Sequence, residues 1–465
     1  MTTTHDLLGG INASPAVRPM FNVGCLMDIP TGRFLLGKHG ESLLNGGIAN
    51  VNAICGRGNS FKTAILLYLL LQTMDRYAPS VGNVYDTELT LSYQRFADLS
   101  RRMLIRLAEF NFELSNEFKM TDKNEINGSQ WFDWLKSVAD MRAKLGRDSK
   151  VTTPFIDAHK KFIEILFPLL TAIDSFSMFE TNVSEKMNEK GVGDSDRNMQ
   201  FMKDGGAKTQ LMMELPVVTN KGGIYILMTA HMGDQHQLDP YAPPSKKLGF
   251  LKNKTTFKNV PEKFSFLTSN CMQVLGTAVL QNPTTKAPEF PRSAEDDLRG
   301  DTDLMILTVS FLRTKYGSSG IPFDLIVSQA NGLEVGLSEF WYIKSYGRYG
   351  IGGNDRNYHL DILPEVSLSR TTVRSKIYEN KRLQRALEIT SQLCQIQNLW
   401  HEVDPSMLCT PKELYDALIQ KGYDWNRLLE TRGYWTFNNE QQALPFLSTM
   451  DLLRMRVGLY HPYWY

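Results

Sequence analysis

The chain has 465 residues, 42% of them hydrophobic and 22% charged, with a formal net charge of +1. That length leaves room for two or three domains around a substantial core. The near-neutral balance excludes a protein that holds nucleic acid through bulk charge alone, while leaving room for a local basic patch.

In chain order, residues 1–45 carry Gly9, Gly10, Pro15, Pro19, Gly24, Pro30 and Gly32, punctuation that rules out a long helix. An extended arm is expected over residues 1–42, serving oligomerisation. It leads into Leu43-Leu44-Asn45-Gly46-Gly47, a turn that feeds the first core strand at residues 51–55. The next eight residues are Gly56-Arg57-Gly58-Asn59-Ser60-Phe61-Lys62-Thr63, followed by an apolar helical pattern over residues 64–77. Strand, glycine loop and Lys-Thr opening a helix is the pattern of a phosphate-binding loop. Backbone N–H groups would wrap the phosphates, Lys62 would reach the β- and γ-phosphates, and the Thr63 hydroxyl would take a place on Mg²⁺. The pattern G-x-x-x-x-G-K-[ST] wants glycine where this chain has Phe61.

A short strand then ends in Tyr85-Asp86-Thr87-Glu88, which puts Glu88 at the crevice where open parallel sheets bind ligands. Solvation of a strand end is the plainer reading of Asp86 and Glu88. Residues 90–160 read as mostly helical, with Trp131-Phe132-Asp133-Trp134-Leu135 opening an amphipathic stretch. The apolar run over residues 162–175 closes on Asp174-Ser175, as a buried strand with a Walker-B carboxylate does. Asp174 would hold Mg²⁺, and Pro168 sets the strand start after itself. Residues 181–209 read as a polar loop leading to a helix near residues 208–217. The next buried strand ends at His231, either a core histidine or a sensor beside the phosphates.

Residues 232–263 read as a long loop. Lys246, Lys247, Lys252, Lys254, Lys258 and Lys263 alternate there with Tyr241, Phe250 and Phe257, cations and stacking faces suited to single-stranded nucleic acid. A solvated surface loop is the alternative. A hairpin follows over residues 305–327, with Arg313 and Lys315 at its corner, either surface charge or a reach to a neighbouring subunit's γ-phosphate. Residues 347–353 read as a glycine linker into a mostly helical C-terminal domain over residues 346–465. Thr410-Pro411-Lys412-Glu413 is a helix start there, and residues 371–385 are basic.

Five cysteines (Cys25, Cys55, Cys271, Cys394, Cys409) form no C-x-x-C pair, and eight histidines show no metal-ligand spacing. Free thiols in a reducing compartment are therefore expected. No apolar run approaches the ~18 residues of a membrane span, and the first residues lack a signal peptide's charged region. The expectation is a soluble cytoplasmic protein without membrane contact.

Taken together, these pieces resemble the RecA-type strand-exchange recombinases, most of all the bacteriophage UvsX-like branch. Ser60-Phe61-Lys62-Thr63 looks like that branch's loop, which accounts for Phe61. Val84-Tyr85-Asp86-Thr87-Glu88, Ile173-Asp174-Ser175, Asn188-Glu189-Lys190, Thr229-Ala230-His231 and Arg313-Thr314-Lys315 are similar to the family's later motifs, in its order, over residues 40–335. The resemblance implies an α/β fold with a RecA-like P-loop NTPase core over residues 43–345. It also implies ATP and Mg²⁺ as cofactors, and Glu88 as the general base that activates water. His231 would sense the γ-phosphate, Lys190 would lie in a first DNA-binding loop, and the lysines from Lys246 to Lys258 in a second. Arg313 and Lys315 would touch ATP across a subunit interface.

The implied protein is a homo-oligomer, a filament ahead of a ring, in the host cytoplasm if phage-encoded. It would bind single-stranded and also duplex DNA and exchange strands at the expense of ATP. A RecA-core hexameric helicase or motor shares this chemistry, and a nucleotide-binding scaffold without turnover is the third reading. The chain departs from the family in lacking a clear helix in its arm, and in longer segments between Glu88 and Asp174 and at the C-terminus.

Overall fold

The structure is a computed structural model. It describes residues 15–103, 106–182, 194–234, 248–251, 255–293, 295–296, 301–354, 356–400, 403–437 and 444–465. Its strands are β1 (Arg33–Leu36), β2 (Ser42–Asn45), β3 (Val51–Gly56), β4 (Val81–Asp86), β5 (Phe118–Asp122), β6 (Lys150–Ile156), β7 (Phe162–Leu166), β8 (Leu169–Asp174), β9 (Ile224–Asp234), β10 (Thr255–Phe257), β11 (Asn270–Val279), β12 (Leu304–Arg313), β13 (Pro322–Ser328), β14 (Gly332–Leu333), β15 (Ile351–Gly353), β16 (Tyr358–Leu360) and β17 (Leu363–Leu368). The main sheet runs β14-β13-β12-β11-β3-β9-β8-β4-β5, with β10 on β9. From β11 to β5 all neighbours are parallel, and β12 to β14 extend the sheet antiparallel. This is the expected α/β class, a central mostly parallel sheet with helices on both faces. The strand carrying Asp174 lies one strand away from the one that feeds the glycine loop, and β9 fills the gap.

The central strands are buried along their whole length because helices cover both faces, so their sequences run apolar rather than alternating. On β3, Val51, Ala53 and Cys55 face one cluster and Ile54 the other. Helix α1 (Cys25–Thr31) lies in the arm, and α2 (Lys62–Arg76) packs on the Ile54 face. Helix α3 (Tyr93–Met103) follows β4. The opposite face is covered by α4 (Gly128–Ala143) through Trp131, Phe132 and Leu135, and by α5 (Asp194–Gly222) through Leu211, Met212 and Leu215. Asn127 and Gln130 cap α4 reciprocally, two orphan donors satisfied at once.

Several sequence expectations are corrected. The arm is not simply extended: seven residues form α1, with Pro30 inside its last turn, and β1 pairs with β2. Residues 90–160 hold β5 at the sheet edge and β6, which pairs antiparallel with β7 just beyond them, besides α3 and α4. Thr, Val, Phe and Ile in those stretches suit a pleated surface better than a helix. The helix expected near residues 208–217 runs from Asp194 to Gly222 despite Gly205, Gly206 and Pro216. Packing of its apolar stripe against α4 overrides those breakers. The long loop is part strand, since β9 continues to Asp234 and pairs antiparallel with β10, and a short helix begins at Lys263. The glycine linker contributes β15 to the three-stranded sheet β15-β16-β17 rather than hanging free.

The C-terminal part is mostly helical, as expected, with its longest helix at Lys381–Leu399. One apolar cluster runs without a break from Phe21 through α2 to Met455. Trp435 packs tilted against Phe21 and Tyr77 and edge-on to Phe155, and its indole N–H donates to the Met20 carbonyl. No helix among the described residues is long and apolar enough to cross a membrane.

Strand β2 and the last helix of the C-terminal part meet at Asp451. Its carboxylate accepts the Ser42 N–H at 2.9 Å, the Ser448 hydroxyl and the Arg454 guanidinium. Burial pushes its pKa up from 3.8 to about 6, against those bonds. An acid whose folded pKa is raised contributes least once it is ionised, so stability falls as pH climbs from about 4 to about 6. That contribution is on the order of 3 kcal/mol. The thermal midpoint of Asp451→Asn, relative to the native chain, is expected to rise across that window and level off above it. A difference that stays flat with pH would contradict this account.

Candidate nucleotide-binding site

The glycine loop leaves β3 at Gly56 and returns to helix at Lys62. A side chain at residue 56 would put a Cβ 2.6 Å from the Ser60 hydroxyl and 3.2 Å from Val274, so the loop closes only over glycine. Asn59 and Phe61 both adopt left-handed backbone, with φ of 55° and 56°. Asn visits that region readily. A phenylalanine there costs roughly 1–2 kcal/mol. Phe61 thus keeps the conformation that the missing glycine would favour, while its ring packs on the apolar core. The Ser60 hydroxyl and the Lys62 ammonium both donate to the Arg57 carbonyl at 2.7 Å. Burial lowers the Lys62 pKa, and the charges of Glu88 and Asp174 work against that shift.

Three strand ends converge on this loop. From β8, Asp174 accepts the Thr63 hydroxyl at 2.7 Å and, from β9, the Thr229 hydroxyl at 2.5 Å. Burial raises the Asp174 pKa despite both bonds. A buried carboxylate beside a hydroxyl at the mouth of a phosphate-binding loop is a hard-oxygen donor set. It fits Mg²⁺, which takes one or two carboxylates and completes its shell with phosphate and water. After β4 the chain turns and presents Glu88, whose Oε1 lies 2.9 Å from His231 Nε2 at the β9 side. Burial pushes the Glu88 carboxyl up. The His231 hydrogen bond and the charges of His231 and Lys62 outweigh it, and the net pKa is below the usual value.

Between these groups the backbone is stitched. Thr87 Oγ1 accepts the Ser175 N–H at 2.6 Å and donates to the Ser175 carbonyl at 2.8 Å, and the Thr87 N–H reaches the Asp174 carbonyl. The Ser177 hydroxyl accepts the His231 N–H. A second chain of contacts leads away from the loop. Arg57 pairs with Asp234 at 2.5 Å, Lys258 Nζ donates to the Asp234 carbonyl, and the Lys258 N–H donates to the His231 carbonyl at 2.9 Å.

The structure therefore gathers Gly56, Arg57, Gly58, Asn59, Ser60, Phe61, Lys62, Thr63, Glu88, Asp174 and His231 at one edge of the sheet, with Lys258 at the root of the β9–β10 ribbon. Lys190, Lys246, Lys247, Lys252 and Lys254 lie outside the described residues. Arg313 and Lys315 are not brought to this loop. Arg313 pairs with Cys271, which is level with Ala53, and β12 runs on from there away from Gly56. That register puts Arg313 roughly 10 Å down the sheet. Its guanidinium donates to the carbonyls of Ser265 and Phe266, and Lys315 is exposed. Sequence reading assigned nothing to Thr229 or Thr87. Both sit inside quoted motifs, but their roles depend on which strands are neighbours.

Fold and loop geometry together define a P-loop α/β protein, with its candidate site at the C-terminal edge of the parallel strands. No family model matches the chain, and no curated protein matches it. Among solved structures, that of a RadB recombinase is similar over 62% of this chain and 92% of its own, at 13% identity and a TM-score of 0.33. A likeness of that size says nothing of what this chain binds.

Proposed function

We propose that the protein is a DNA-dependent ATPase of the RecA type, a recombinase of the UvsX-like branch that pairs single-stranded DNA with a homologous duplex. The observation that carries this reading is the 2.9 Å contact between Glu88 and His231. It joins the group poised to activate water to the strand that runs into the β9–β10 ribbon.

In this reading the loop N–H groups and Lys62 bind the β- and γ-phosphates of ATP. Thr63 and Asp174 would hold Mg²⁺, which would supply positive charge against the negative charge developing on the phosphates. Glu88 accepts a proton from the attacking water as the bond to the β–γ bridging oxygen breaks, leaving ADP and phosphate. His231, held 2.9 Å from Glu88, would exchange that partner when the γ-phosphate is lost. The Arg57–Asp234–Lys258 contacts carry that change to the ribbon. The lysines at 246, 247, 252, 254 and 258, with Lys190 in the segment after β8, grip the DNA backbone. Arg313 and Lys315 reach the nucleotide of a neighbouring copy, a role compatible with their distance from the loop of their own chain.

Residues 43–345 act as the ATPase core, residues 1–42 as an assembly arm and residues 346–465 as an appended helical part. The copies assemble on DNA as a filament in the cytoplasm. The test is single-stranded DNA binding at fixed salt with and without a non-hydrolysable ATP analogue. The analogue is expected to tighten binding at least tenfold, and Lys258→Ala to make the salt slope about 0.7 shallower. DNA affinity indifferent to nucleotide would overturn the coupling.

A further inference from the structure

We infer that Asp86 is a positioning residue for the hydrolytic step, holding the turn that presents Glu88; the inference rests on the reading of Glu88 given above. Asp86 is the last residue of β4 and almost wholly buried, in register between Asp122 on β5 and Asp174 on β8. A carboxylate in register with two others on the adjacent strands needs donors of its own.

The turn after β4 supplies them. Asp86 Oδ1 accepts the N–H groups of Glu88 and Leu89, both at 2.9 Å, and Oδ2 those of Thr90 and Leu91, both at 2.8 Å. Four backbone donors converge on one carboxylate, a concave nest built for an anion. Each oxygen holds two N–H groups, which fills the carboxylate's hydrogen-bonding capacity. Asp86 is therefore not a second metal ligand beside Asp174, and it is not merely a solvated strand end.

The nest also explains Leu89. Its φ is +59° and its side chain is 46% exposed, so a leucine adopts a strained left-handed backbone with little burial in return. Without that left-handed residue the N–H groups of residues 88–91 could not all point inward. Strain at Leu89 is thus held by the Asp86 carboxylate, and the product of the arrangement is a fixed position for Glu88, two residues from its anchor. Thr87, tied twice to Ser175, fixes the other side of the same turn. Glu88 then reaches His231 from a turn with little freedom to swing.

The substitution Asp86→Asn keeps size and shape but turns an NH₂ toward two N–H donors, opening half of the nest. Turnover of ATP is expected to fall about 100-fold, as for a misplaced catalytic group, with ATP affinity within threefold of native. Amide hydrogen exchange should speed up at residues 88–91 and not in α2. The deciding measurement is a double-mutant cycle with Glu88→Gln. If Asp86 acts through Glu88, adding Asp86→Asn to Glu88→Gln costs nothing further. Losses that multiply would overturn the inference, as would an equal loss of ATP affinity. If Asp86→Asn does not fold, Asp86→Glu takes its place, since its extra methylene displaces the charge from the nest and predicts the same cycle. A Glu88→Gln variant with native turnover would instead refute the reading of Glu88 itself.

Discussion

Replacing Glu88 with Gln is expected to cut ATP turnover about 1,000-fold, within the range for losing a general base, while ATP affinity stays within about threefold. Gln keeps the length and one acceptor oxygen, so the contact with His231 can persist while the proton-accepting ability is gone. Glu88 touches no loop N–H group that would bind the phosphates, and its loss should therefore appear in kcat and not in KM. Its pKa lies below the ordinary carboxylate value, because the His231 bond and the His231 and Lys62 charges outweigh burial. The base is thus ionised throughout the neutral range, and native turnover should show no acid limb between pH 5.5 and pH 8 (about one unit or more above an ordinary carboxylate). Steady-state kinetics across that range check both points. A large rise in KM at unchanged kcat would mean that Glu88 binds substrate rather than activating water.

Replacing Lys62 with Ala is expected to act on binding as well as on chemistry. Lys62 opens α2 with its ammonium folded back on the Arg57 carbonyl, buried and without a carboxylate directly on it among the described residues. Burial lowers its pKa, so the charge is held at a cost that a phosphate would relieve. Removing it deletes a charge-assisted bond worth about 2–3 kcal/mol, or roughly 100-fold in ATP affinity. It also deletes the cation that follows the charge onto the leaving phosphate, so kcat/KM should fall by at least about 1,000-fold. Calorimetric titration with ATP and turnover measured together would show both losses. Native affinity in Lys62→Ala would place the phosphates elsewhere than this loop.

The parts of this account that were legible in the sequence are those written in consecutive residues. The strand before Gly56, the helix after Lys62 and the strand beginning after Pro168 each follow from a local apolar run and its punctuation. The same holds for the hairpin of residues 305–327. Asp174, Glu88 and His231 could be read because each ends such a run, and strand ends of a parallel sheet face one crevice. What was not legible depends on neighbours far away in the chain. Thr229 meets Asp174 only because β8 and β9 are adjacent, and Thr87 meets Ser175 only because β4 and β8 are. The helix through Gly205, Gly206 and Pro216 is held by α4, and no local propensity announces it. Arg313 shows the converse. Its motif suggested a reach to a neighbouring subunit's phosphate, and only the antiparallel register of β12 reveals how far it lies from the loop of its own chain.

The central claim is that ATP turnover at this site is coupled to single-stranded DNA. Its most direct test is the rate of phosphate release by the native protein, with and without single-stranded DNA, beside the Glu88→Gln variant. The account predicts at least tenfold stimulation by DNA in the native protein and none in the variant, with both binding ATP. A native rate that DNA leaves unchanged would contradict it and leave a nucleotide-binding protein whose lysine-rich segment serves something else.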